Sequence, residues 1–405
     1  MNLGILEDKY IDLILKRCLN FDKSSSLFIN YIKENKNVVD KIIEKAKKIG
    51  IEDIYLDEED LKKTHELLIN LSVEEIKKDE YFRCDKWDEY AKKDASFLIL
   101  ESYIPKLMDD IDEEKISASN YVKRTTKPIY KKKQMTYDIP WCICCLPNEL
   151  WAKELFPDKE NSYELLYKTL LNICMVDEYD PIDNWNNYIK DTIHRVNKLN
   201  ELKIKKLHYK NDLGTDLIIE LIPDSVWEGV GTGKEENMLV NMPSYEIFTS
   251  PNSKKTEGIV YSSKPLNYNG ALIDEFWLKF EKGKVIDFDA KKGKKILEGI
   301  INSDDGSSYL GEAALVSYDS PISNTNLVFY ETLLDENASC HLALGEGFKT
   351  VIKDYDKYSD EEIEKMGLNI SKVHVDFMIG TKDLNIVAET DNGNIEIFKD
   401  GNFVI

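Results

Sequence analysis

Apolar positions along this chain follow two regimes. In the first quarter they recur at helical spacing between short, solidly apolar runs. In the second half they alternate with polar residues and are interrupted by glycine turns. Leu6 to Leu19 is amphipathic, Leu27 to Ile32 predicts a strand after the Ser24-Ser25-Ser26 turn, and Val38, Ile42, Ala46 and Ile49 share a helical face that stops at Gly50. Ile54 to Leu56 and Ala95 to Leu100 predict further strands, with two helices between them. Residues 1–108 therefore read as a small N-terminal α/β domain of the βαβ type. It has no phosphate-binding glycine loop and is expected to be structural or a lid. Pro105 and the acidic cluster Asp109 to Glu114 predict a boundary, leaving residues 109–405 as a larger, mixed and strand-rich catalytic domain.

Within that larger part, Lys123 to Lys133 (KRTTKPIYKKK) is expected to be a solvated connector. Trp141 to Pro147 carries three cysteines but lacks a second ligand pair for zinc, so a core strand is expected. Helices follow over Trp151–Phe156 and Tyr163–Met175. A longer one ends at Leu202, with Asp180 as N-cap and Pro181 at its first position; its His194 reads as a surface or packing residue. His208 to Pro223 opens the strand-rich region. The glycines of Glu228 to Lys234 depart from the Walker pattern and predict a turn. Lys292 to Ile301 is expected to be helical, and turns at Asp391-Asn392-Gly393 and Asp400-Gly401 predict closing β-hairpins.

A length of 405 residues favours two domains over one core. The net charge of −21 argues against a nucleic-acid partner, which needs clustered Lys and Arg, and weakly favours cationic peptide N-termini. Glu7, Asp8 and Asp12 do not suit a signal peptide, and no apolar run approaches the roughly 20 residues of a membrane span. With no secretion signal, the seven cysteines are expected to be reduced thiols in a cytoplasmic protein.

The candidate chemistry lies in three stretches. In Val373-His374-Val375-Asp376-Phe377 alternation puts His374 and Asp376 on one strand face and the apolar residues on the other. An imidazole and a carboxylate side by side make a pair of metal ligands, although a structural hydrogen-bonded pair has the same pattern. Residues 309–348 set Glu312, Asp319, Asp335, Glu336 and His341 among apolar runs, where carboxylates need partners or a metal. His341 is expected in a short helix, Ala338 to Leu344, while Asp319 and Ser320 are expected to shape a turn. Asn241 to Pro251 places Glu246 between apolar neighbours. Glu246, Glu312, His341, His374 and Asp376 together suit zinc, cobalt or manganese, and three carboxylates with two histidines suffice for two divalent ions.

These residues lie in the blocks NMPSYEIFTSP, SSKPLNYNG, LGEAALVSYDSPIS, LDENASCHLALG and VHVDFMIG, whose order and spacing resemble those of the thermophilic-type metalloaminopeptidases, the family of aminopeptidases S, T and II. The resemblance runs from about Tyr103 to the C-terminus and is weaker before it. It implies a metal-dependent aminopeptidase that releases N-terminal residues from short peptides, with two divalent metal ions bound at the five positions and Glu336 as a sixth ligand or a neighbour of the ligands. It further implies a homodimer enclosing the active site. Glu312 is expected to lie nearest the nucleophilic water, with Asp216 and Tyr245 in the substrate cleft. One position departs from the family pattern. Seven residues after His341, where the family often has a tyrosine taken to assist the oxyanion, this chain has Phe348. A phenyl ring cannot donate a hydrogen bond, and one such donor is worth ~3 kcal/mol of transition-state stabilisation. Tyr245 is a candidate substitute. The alternatives are a catalytically weakened peptide-binding protein that retains the fold, and a binuclear phosphoesterase, for which no basic cluster accompanies the acids.

Overall fold

The computed structural model describes residues 2–19, 21, 26–177, 179–233, 238–268 and 271–405, without the side chains of Glu113 and Ala271. The chain forms two compact units, residues 1–187 with 234–243, and residues 188–233 with 244–405.

The first unit is built on a parallel sheet. Its strands are β1 (Ser26–Ile32), β2 (Asp53–Glu59), β3 (Ser96–Glu101) and β4 (Trp141–Cys145). The order is β2-β1-β3-β4, and the short Asn241–Met242 strand, β8, extends it beyond β4. Helices cover a parallel sheet on both faces, so its strands read as unbroken apolar runs. The segment SLFINYI is buried at every position, as are the first five residues of SFLILE. The helix Lys36–Lys48 stops at Gly50, whose φ of +94° favours glycine.

The boundary at residue 108 is not a unit boundary, because β4 pairs with β3 in the middle of the same sheet and residues 109–187 belong to the first unit. Pro105 and the acidic run belong to the crossover from β3 to β4, whose composition resembles that of a linker. The basic stretch 123–133 is not a connector either. It spans the end of helix Glu113–Thr125 and most of helix Pro128–Met135, and Lys127 sits 3.6 Å from the centre of the Trp87 ring.

The second unit is all antiparallel. Its strands are β5 (Lys206–Lys210), β6 (Asp216–Leu221), β7 (Glu228–Gly229), β9 (Ile247–Thr249), β10 (Pro251–Tyr261), β11 (Leu266–Tyr268), β12 (Ala271–Glu281) and β13 (Lys284–Lys292). It continues with β14 (Leu310–Leu315), β15 (His341–Gly345), β16 (His374–Met378), β17 (Asn385–Thr390), β18 (Gly393–Lys399) and β19 (Asn402–Phe403). Nine strands form one sheet, β11-β12-β10-β6-β5-β17-β18-β19 with β13 beside β12; the other sheet is β16-β15-β14-β9-β7. One core joins them. Leu207, Tyr209, Leu217, Ile219 and Leu278 enter it from the larger sheet, and Ala313, Leu315, Leu342, Leu344, Val375 and Phe377 from the smaller. The smaller sheet therefore has a second face turned away from this core, and Glu312, His341, His374 and Asp376 lie on that face.

Candidate metal centre

Alternation decides which side chains share the outer face of β16-β15-β14-β9. On β16, Val375 and Phe377 enter the core, which leaves His374, Asp376 and Met378 outward. On β15, Leu342 and Leu344 point inward and His341, Ala343 and Gly345 outward. Asp376 and Glu312 both pair with Ala343, from opposite sides, so the two carboxylates flank a methyl group on the strand between them.

Strand β14 needs a correction to its alternation. Leu310 enters the core, so in a regular strand Glu312, two residues on, would follow it there. The pairing instead shifts between Leu310 and Glu312, with Leu310 opposite Leu344 and Glu312 opposite Ala343. Gly311 is the extra residue of a β-bulge, which re-aims the next side chain to the outer face. A Cβ at Gly311 would lie 2.2 Å from the Glu346 carbonyl oxygen and 2.4 Å from that of Gly345. Gly311→Ala is therefore expected to lower the melting temperature and to reduce activity beyond what the lost folded fraction explains. Thermal denaturation alongside the rate per folded molecule checks this; a wild-type rate per folded molecule would show that the bulge does not aim Glu312.

Two groups of ligand atoms result, each within 4.8 Å of one another: Glu246, Glu312 and His341, and Glu312, His374 and Asp376. Glu312 belongs to both. The His341 Nε2 lies 3.3 Å from Glu246 Oε2, and the His374 Nε2 lies 3.2 Å from Glu312 Oε2 and 3.3 Å from Asp376 Oδ1. Such separations match the edge of a tetrahedron around a cation with bonds of about 2.0 Å, which is about 3.3 Å. The tautomers fit as well. His341 Nδ1 is 2.9 Å from the Glu336 carbonyl oxygen, and His374 Nδ1 is 2.8 Å from that of Glu346. A carbonyl can only accept, so each Nδ1 carries the proton, and in the neutral ring Nε2 presents a lone pair. Asp376 Oδ1 is buried and makes no aligned hydrogen bond, its neighbour being His374 Nε2 at 3.3 Å, a separation that suits two ligands of one cation.

The electrostatics show what the site needs. Burial pushes Glu312 up to about 7, although the His374 hydrogen bond opposes this. Burial also raises Glu336 strongly, helped by the charges of Asp376 and Glu246. Burial works against a charged His341, yet the Glu246 hydrogen bond and the Glu312 charge outweigh it and hold its pKa at about 10. His374 is raised for the same reason, by Asp376 and Glu312, while Asp376 falls to about 2 because the His374 charge overcomes its burial. Four carboxyl groups face two imidazoles, so without metal the site holds protons on both rings and favours them on the buried Glu312 and Glu336. A divalent cation at each group of ligand atoms would replace them, and the donor set fits.

The remaining candidates are placed differently. Glu336 borders Asp376, Glu246, His341 and Glu312 but belongs to neither ligand group. Tyr245 is buried, with its ring edge-on to Tyr188 at 5.2 Å. The Phe348 ring stands edge-on to His374 at 5.1 Å and also meets Phe248. Asp216 does not join the cluster. Its neighbours Leu217 and Ile219 enter the core from the larger sheet, so Asp216 points out on the opposite side of the sandwich, 2.6 Å from His208 Nε2 and 3.4 Å from Lys210 Nζ. The helix expected around His341 is absent; the helix there is Thr332–Glu336, and His341 opens β15. Asp319 accepts from the Asn324 amide and the Ser320 hydroxyl accepts from Ser323 N–H, so both shape a turn. Sequence reasoning missed Asn337 and Asn369, whose side chains bond to backbone across the fold and leave no local signal.

A family model described as thermophilic metalloprotease (M29) matches residues 6–403. Aminopeptidase 2 of Geobacillus stearothermophilus is 35% identical over 401 residues, 98% of this chain and 97% of that protein. Aminopeptidase AmpS of Bacillus subtilis (strain 168) is 36% identical over 402 residues, 97% of each chain. The solved structure of wild-type AmpT from Thermus thermophilus superposes with a TM-score of 0.90 at 26% identity, covering all of both chains.

Proposed function

The chain belongs to the thermophilic metalloprotease (M29) family, and from that premise we propose that it is a metal-dependent aminopeptidase acting on short peptides with a free N-terminus. The observation that carries the reading is the convergence of Glu246, Glu312, His341, His374 and Asp376 into two ligand groups sharing Glu312. They would hold two divalent ions, with zinc, cobalt and manganese all suited to the oxygen and nitrogen donors and Glu336 at hand as a further ligand. Ions bound there would polarise the scissile carbonyl, activate a water and stabilise the oxyanion.

The chain's own groups do the rest. Backbone carbonyls fix both imidazoles, so their Nε2 atoms face inward without reorganisation. Glu312, common to both groups, is the carboxylate suited to take the proton of the attacking water. The Phe348 ring shields one side of His374 and has no hydrogen-bond donor. The weakened, peptide-binding alternative is not favoured, because a pure binder has little need of this ligand set. The proposal includes a cytoplasmic homodimer. All seven cysteines are thiols, which suits a reducing compartment, and no described helix is long and apolar enough to cross a membrane.

Aminoacyl-amides and dipeptides, each with a free or an acetylated N-terminus, test the reading. Turnover of the free forms alone is expected. Equal cleavage of acetylated peptides would overturn the exopeptidase assignment, and no turnover by fully metallated protein would favour the binding alternative. Phe348→Tyr is expected to raise kcat several-fold by restoring a donor at the oxyanion. An unchanged or lower kcat would mean that the site has adapted to its absence.

A further inference from the structure

The two ligand groups share Glu312 and lie on or beside paired strands, but the hydrogen bonds that orient their other ligands come from different segments. Tyr245, which precedes Glu246, is held at both backbone groups. Its N–H donates to Asn337 Oδ1 at 2.6 Å, and its carbonyl accepts from the Tyr188 hydroxyl at 3.3 Å. Asn337 is fully buried and its amide donates to the Leu333 carbonyl at 3.0 Å, which ties it to the helix Thr332–Glu336. The last residue of that helix supplies the carbonyl that orients His341. Asn337 thus joins the backbone before Glu246 to the backbone that aims His341. His374 hangs elsewhere, on the Glu346 carbonyl. The residue before Glu346, Gly345, accepts at 2.6 Å from the amide of the buried Asn369, which also reaches the Gly306 carbonyl at 2.8 Å.

We propose that Asn337 is a positioning residue for one ion alone, that of Glu246, Glu312 and His341, and that the ion of Glu312, His374 and Asp376 is held independently of it. The inference rests on the two-ion reading above. Loss of a buried group that orients ligands costs about 10–100-fold in metal affinity. Where such a group orients both ligands special to one ion and neither ligand special to the other, that cost falls on one ion.

The test is a Co2+ titration of metal-depleted protein, followed by absorption and by competition with a chromophoric chelator. Wild-type protein is expected to take up two equivalents. In Asn337→Ala one equivalent is expected to weaken 10–100-fold while the other keeps its affinity and spectrum. Asn369→Ala is expected to weaken the other equivalent, giving the complementary spectrum. Tyr188→Phe removes the hydroxyl that donates to the Tyr245 carbonyl and also meets Thr192, and keeps the inference testable if Asn337→Ala fails to fold. A few-fold weakening of the equivalent that Asn369→Ala leaves intact is expected from it, and weakening of the equivalent that Asn369→Ala weakens would overturn the inference. Equal loss of both ions in the Asn337 variant, or unchanged binding of both, would overturn the inference while leaving the two-ion reading in place. A wild-type stoichiometry of one would overturn that reading, and this inference with it.

Discussion

Glu312→Gln is expected to lower kcat by about a thousandfold or more, equivalent to about 4 kcal/mol of transition-state stabilisation. Glutamine keeps the length and shape of the side chain, but its amide neither binds a cation as an anion does nor accepts a proton at neutral pH. The size of the effect follows from position. Among the described residues Glu312 is the one that contributes to both ligand groups, so its loss would touch each proposed ion as well as the candidate base. The fold is expected to survive. Burial already pushes the Glu312 carboxyl up to about 7, which means that its charge is costly in the metal-free protein, and a neutral amide removes that cost. Steady-state kinetics on metallated variant, with thermal melts of both proteins after metal removal, separates the two effects. The metal-free variant should melt no lower than metal-free wild type. Activity within tenfold of wild type would remove Glu312 from the mechanism.

The strand pair behind this prediction is partly legible in the sequence. Val373 to Phe377 alternates, and alternation alone places His374 and Asp376 together, as the burial of Val375 and Phe377 requires. His341 is harder to place. The segment His341-Leu-Ala-Leu-Gly345 is rich in helix formers, and five residues are too few for a period to separate helix from strand. Pairing with β14 on one side and β16 on the other decides it, and that pairing is non-local. The Gly311 bulge is likewise invisible before the partner strand is known. Regular alternation through Leu310, Glu312 and Ala314 puts all three on one face, whereas the fold sends Leu310 inward and Glu312 outward. The unit boundary was obscured for a similar reason. In a parallel sheet the neighbour of β3 arrives only after a long crossover, so the break at Pro105 resembles the end of a domain while the sheet is still incomplete. Asp216 was misplaced because a Gly-Thr-Asp turn has no mark of the side of the sandwich on which its acid will lie.

Removal of metal is expected to abolish turnover and to lower the melting temperature of the second unit by about 5–10 °C, with both restored by adding back one of the suited divalent ions. The activity loss follows from the donor set, whose carboxylates and imidazoles suit an ion that activates water. The stability loss follows from charge. Glu246, Glu312, Glu336 and Asp376 converge on two imidazoles, and without a cation the site relies on protons, on both rings and on carboxyls that burial raises, in place of metal charge. An ion held at 100 times its dissociation constant stabilises the folded form by about 2.7 kcal/mol, and for a unit of roughly 200 residues each kcal/mol moves the transition by about 2–4 °C. Dialysis against chelator, metal analysis, and parallel assays and melts check both halves. Full activity in protein shown to be metal-free would end the metal mechanism. An unshifted melt with lost activity would instead mean that the acid cluster carries its own protons without strain, and that the ions serve catalysis but not the fold.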